Sequence, residues 1–76
     1  MLRQYARAGG TVLIIEQTPE GFFLYSFPKD GLEGDSWHQS AKDARDQAER
    51  QFCATEWADV PSDVTNFRAY AREISN

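Results

Sequence analysis

The chain has one cysteine, Cys53, and one histidine, His38. A lone thiol rules out an intramolecular disulfide, so no covalent staple closes the fold. One Cys and one His also fall short of the four N/S ligands that a structural zinc usually takes. Nothing in the sequence points to another cofactor. A chain without disulfides suits a reducing compartment, and a cytoplasmic location is the expectation. No run approaches the ~20 apolar residues of a membrane span. Residues 1–10 carry Arg3 and Arg7 but lack the apolar centre of a secretory leader. Basic residues are in the minority, 8 against 12 acidic ones, for a formal net charge of -4. Binding to a phosphate backbone normally needs clustered Lys and Arg, so nucleic-acid binding by the monomer is not expected.

What the chain does contain is enough for one small domain spanning 1–76, with 1–10 as a candidate flexible N-terminal arm. That arm ends in Ala8-Gly9-Gly10, and Leu2, Tyr5 and the two arginines suit either a short helix or an added strand. Thr11 to Glu16 (TVLIIE) is rich in β-branched residues and predicts a strand. Thr18-Pro19-Glu20-Gly21 has the composition of a tight turn. Gly21 to Phe27 (GFFLYSF) predicts the antiparallel partner, and Leu32 to His38 a weaker third strand after the turn Pro28-Lys29-Asp30-Gly31. Ser40 then fits an N-cap, with Asp43 at the position of a capping-box acid. Ala41, Ala44, Ala48 and Phe52 recur at helical spacing, opposite a face with Lys42, Arg45, Asp46, Glu49 and Arg50. Glu56 to Val60 predicts a short extended segment with Trp57 inward. A second helix follows Pro61, capped by Ser62 or Asp63, with Val64, Phe67, Ala71 and Ile74 on one face. The expected class is α+β: a three-stranded antiparallel meander, a helix, a short extended segment and a second helix, βββα(β)α.

Both faces of the hairpin are apolar. Phe23, Tyr25 and Phe27 point one way and Phe22 and Leu24 the other. Leu13 and Ile15 likewise oppose Val12 and Ile14. A half-solvated antiparallel sheet would alternate apolar with polar, so both faces require cover. The first helix can cover one. The second helix, the N-terminal arm or another subunit must cover the other. If a partner does so, the candidate interaction surface comprises Phe22, Leu24, Val12, Ile14 and Trp57.

Catalytic patterns are thin. Gly34-Asp35-Ser36 is similar to the nucleophile block of GDS-type esterases, but those take a base from a distant Asp-x-x-His element that is missing here. His38 lies two residues from Ser36, on the same face of a strand, so only proximity is satisfied. Cys53 falls near a helix C-terminus, where the dipole opposes a thiolate, and predicts a buried or half-buried structural cysteine. Acidic residues such as Glu16, Glu20, Asp30, Glu33 and Asp35 fall mostly at turns and predict solvated loop ends. The aromatics lack the flanking positive charge of a base-stacking platform, with only Lys29 close by, and predict core packing.

Residues 11 to 52 resemble the N-terminal domain of HicB-type antitoxins. The likeness rests on Val12 to Ile15, Gly21-Phe22, Phe27-Pro28, Gly31, Gly34-Asp35-Ser36, and Ala41, Ala44 and Ala48. In that family the helix begins almost at the Ser/Thr, whereas Trp37-His38-Gln39 intervene here, and no DNA-binding element is evident after residue 53. The resemblance implies a noncatalytic domain that dimerises and masks a small basic toxin nuclease. The two apolar faces and the thin catalytic patterns give the expected function, a noncatalytic protein-interaction module with a protein partner or a second copy of itself, and the resemblance implies that it is antitoxin-like in form. The alternatives are a small hydrophobic-ligand binder around Phe23, Tyr25, Trp37 and Trp57, and a small hydrolase using Ser36, His38 or Cys53.

Overall fold

The computed structural model describes residues 1–75. Five strands, β1 (Arg3–Ala8), β2 (Thr11–Thr18), β3 (Gly21–Pro28), β4 (Gly34–His38) and β5 (Ala58–Asp59), accompany two helices, α1 (Ala41–Phe52) and α2 (Phe67–Ile74). The sheet is antiparallel throughout, in the order β4-β3-β2-β1-β5. The class is α+β, as the patterning predicts. The N-terminal arm takes the added-strand alternative: β1 pairs with β2 on one side and β5 on the other. The meander therefore has four strands, and the short extended segment closes its far edge.

The hairpins follow from their turns. Gly9, at φ 60, lies in the two-residue connection between β1 and β2, a conformation that glycine adopts freely. Thr18 pairs with Gly21 across Pro19-Glu20, and the Thr18 hydroxyl accepts from Glu20 N at 3.2 Å. The register sets Ile15 opposite Leu24 and Ile14 opposite Tyr25, which gives the two faces of the sheet different partners.

On one face α1 packs through Ala44 and Ala48, both fully buried, onto Leu13, Ile15 and Leu24. Small side chains let the helix axis approach the sheet closely, and the half-buried Phe52 and Trp57 pack against the same cluster. Ser40 caps the helix, its Oγ accepting from Asp43 N at 3.0 Å. Of the charge pairs on the outer face, Lys42–Asp46 forms at 2.8 Å, while Arg45 reaches across to Gln4 Oε1 at 3.0 Å. Cys53 is exposed, contrary to the buried or half-buried site expected. It ends α1 in the left-handed region at φ 62, with its N–H bonded to the carbonyls of Ala48 and Glu49, and this turns its side chain away from the core.

On the other face α2 packs through Ala71 against Val12 and Ile14, so an internal helix supplies the second cover. Its start differs from expectation. Asn66 is the N-cap, its side chain accepting from Ala69 N at 3.0 Å, rather than Ser62 or Asp63. The β-branched pair Val64-Thr65 disfavours an earlier start, and Asn is among the strongest capping residues. Val64 still packs with the cluster, from the preceding turn. β4 likewise begins at Gly34 rather than Leu32, which is 94% exposed.

Candidate interaction surface

With eight residues, α2 is roughly 12 Å long at ~1.5 Å rise per residue. It lies over the middle of its face. Tyr70 meets Tyr5 of β1 edge-on, with ring centroids 5.7 Å apart, and Phe67 meets Tyr25 of β3 at 5.8 Å. Beyond that line the outward row of β3 is only half-covered. Phe23 and Tyr25 stack with centroids 6.2 Å apart, and Phe27 continues the row 6.4 Å from Tyr25.

Beside this row runs β4, which among the described residues pairs with β3 alone and forms one edge of the sheet. Trp37 stands opposite Phe23, and Asp35 opposite Tyr25. The Trp37 indole crosses diagonally over Gly21, where its Nε1 donates to Glu20 O at 3.0 Å. An added Cβ at Gly21 would come within 2.4 Å of that nitrogen, so the bare glycine makes room for the ring. Trp37 is nevertheless 54% exposed.

An open groove of about 600 Å³ lies between β4 and α2, lined by Tyr25, Phe27 and Phe67 with Asp35 beside them. The forked ion pair of Glu33 and Arg68 also borders it, with Arg68 Nε donating to both carboxylate oxygens at 2.9 and 2.8 Å. These bonds hold the Glu33 carboxyl below its ordinary range. The Tyr25 hydroxyl donates to Glu16 Oε1 at 3.2 Å. Burial first, then the charge of Glu16 and the hydrogen bond to it, and last the charge of Asp35 push the Tyr25 phenol up. Arg3 stands opposite Glu16 in register, but it turns under α2, donates to Val64 O and sits 5.0 Å from the Phe67 ring centroid. Among the described residues the ion pairs are Lys42–Asp46 and Arg68–Glu33, so neither Glu16 nor Asp35 is matched by a cation.

No family model, curated protein or solved structure matches the chain.

The five residues expected to form an interaction surface do not form one. Val12 and Ile14 lie beneath α2, at 2% and 0% exposure. Leu24 is buried at 3%, and the half-buried Phe22 and Trp57 pack with it on the opposite face, under α1. The expected ligand pocket is also split: Phe23, Tyr25 and Trp37 share a face, but Trp57 belongs to the other. Ser36 and His38 do meet, Oγ to Nε2 at 2.7 Å, and among the described residues no carboxylate completes a triad with them. Cys53 follows the last turn of α1 while His38 precedes its first, which sets the third hydrolase candidate a helix length of roughly 18 Å from the other two. Among the described residues no three His, Cys, Asp or Glu side chains converge as metal ligands, and no helix is long and apolar enough to cross a membrane. The residues missed as part of a surface are Phe27, Asp35 and Glu16. Asp35 and Glu16 read as solvated turn ends, although their strand parity places both on the aromatic side.

Proposed function

We propose that the chain is a noncatalytic protein-interaction module that works through the half-covered row Phe23, Tyr25 and Phe27 and the adjoining edge strand β4. One observation carries the reading. α2 covers the centre of its face and leaves an aromatic strip beside an edge whose outward backbone groups have no neighbouring strand. Exposed aromatic area and an open sheet edge are both features that partner chains recognise. The antitoxin-like form of this function, masking a small basic toxin, draws on the resemblance of residues 11–52 and on the net charge of -4, which suits a basic partner.

The test is site-specific photo-crosslinking in cells. A photoreactive side chain at Asp35, on the exposed edge, is expected to capture a protein partner. The same group at Glu49, exposed on the outer side of α1, is not. Equal capture from both positions, or none from Asp35, would count against the assignment.

A further inference from the structure

The chemistry of the β3–β4 border specifies the occupant more narrowly. We infer that it receives a cationic, extended segment of a partner protein, which adds as a sixth strand along β4 and directs Arg or Lys side chains onto the aromatic floor. This rests on the interaction-module reading and names the chemistry of its partner.

Three observations converge on one cation-accepting strip. First, β4 is a five-residue edge strand with no proline, and alternate peptide groups along such an edge point away from the sheet. Second, every other side chain of an added strand would fall on the face that holds Asp35 and Trp37. Strands lie ~4.8 Å apart, so Tyr25 on β3 is about two spacings from such a strand, and only long side chains such as Arg or Lys would reach it. Third, the floor itself suits a cation. Tyr25 is stacked on Phe23, and the carboxylates of Glu16 and Asp35 both act on its phenol without an ion-pair partner of their own. An aromatic face attracts an ammonium or guanidinium by its quadrupole, and an adjacent carboxylate adds Coulomb attraction. The molecule already makes one such contact, that of Arg3 on Phe67.

A second copy of the chain fits this strip poorly. Each copy carries a net charge of -4, and pairing β4 with itself would bring two Asp35 carboxylates to the same border. Arg68, which borders the groove, is already engaged by Glu33.

The experiment uses the full chain labelled with ¹⁵N and three ten-residue probe peptides in which Thr alternates with Arg, with Glu or with Gln. The Arg–Thr peptide is expected to bind saturably, to shift the amides of residues 33–38 together with those of Tyr25, Phe27 and Phe67, and to weaken as salt rises. The Glu16→Gln, Asp35→Asn double variant should weaken it at least tenfold. Asp46→Asn on the outer side of α1 should leave it unchanged. Equal binding by the double variant would overturn the proposal, because attraction would then be diffuse. Shifts of the same residues by the Glu–Thr or Gln–Thr peptide, with none by Arg–Thr, would keep the face as a docking surface but overturn its cationic occupant. Silence from all three peptides would remove the cationic segment, while capture from Asp35 in cells would still uphold the module. A stable dimer with protected β4 amides in light scattering and hydrogen exchange would assign the edge to a second copy and overturn the proposal.

Discussion

Gly21 and Trp37 show how one missing side chain shapes the surface. Gly21 has φ 141, a region other residues rarely enter, and a Cβ there would meet the indole at 2.4 Å. Gly21→Ala is expected to cost about 1–3 kcal/mol of stability, from backbone strain together with the displaced ring. With Trp57 replaced by Phe, the fluorescence of Trp37 should shift to the red as its bond to Glu20 O is lost. Adding Trp37→Ala should recover only the steric part, because the backbone strain stays, and a double-mutant cycle in urea separates the two. Tyr25 offers a second readout. Its folded-state pKa lies above the usual ~10, so the folded chain keeps this proton to higher pH than the unfolded chain. The resulting stabilisation is fully present below ~10 and is lost as pH rises through the folded-state value. Glu16→Gln should lower the pH at which Tyr25 ionises but leave it above the ordinary value, because burial, the largest cause, persists. Phenolate absorbance, with Tyr25→Phe as the subtraction, follows this directly.

The secondary-structure elements differ in how openly their residues announce them. The β2–β3 hairpin and α1 were legible because each carries its own signal: β-branched runs around a Pro-Glu turn, and an alanine stripe behind a Ser cap. β1 carries no such signal. Arg3, Tyr5 and Arg7 alternate with Gln4, Ala6 and Ala8, and the strand exists because β2 and β5 hydrogen-bond to its two sides. β5 is two residues long and owes its state to Gln4 and Tyr5, more than fifty positions earlier in the chain. The caps of α1 make separable predictions. Ser40→Ala removes the acceptor for Asp43 N and should cost about 1 kcal/mol. Cys53→Gly should stabilise by roughly 0.5–1 kcal/mol, since glycine occupies the left-handed position at φ 62 without the Cβ penalty. Chemical denaturation of the two variants should therefore move the midpoint in opposite directions from one helix.

At the level of the whole molecule the chain is a sheet between two unequal helices, and that inequality decides where the surface lies. Periodicity indicates that both faces of the hairpin need cover and that two helices are on hand to supply it. It does not encode lateral placement: whether α2 sits over β1–β2 or β3–β4 depends on contacts such as Tyr5–Tyr70 and Arg3–Phe67, made between segments far apart in the chain. The expected surface therefore fell in part on the buried Val12 and Ile14, while the half-covered strip is the Phe23–Tyr25–Phe27 row. Adjacent isoleucines measure how firmly each layer holds. Ile14 faces α2 and Ile15 faces α1, and both are fully buried. Each replacement by Ala should cost about 2–5 kcal/mol. That is a large part of the ~5–15 kcal/mol available to a small domain, so either variant should shift the urea midpoint strongly. The comparison isolates α2. An α2 docked as in this structure gives Ile14→Ala and Ile15→Ala similar costs and unchanged denaturant slopes. A short helix that leaves its face for much of the time would make Ile14→Ala much the milder of the two. The aromatic strip would then extend over the whole face, with Val12 and Ile14 inside it.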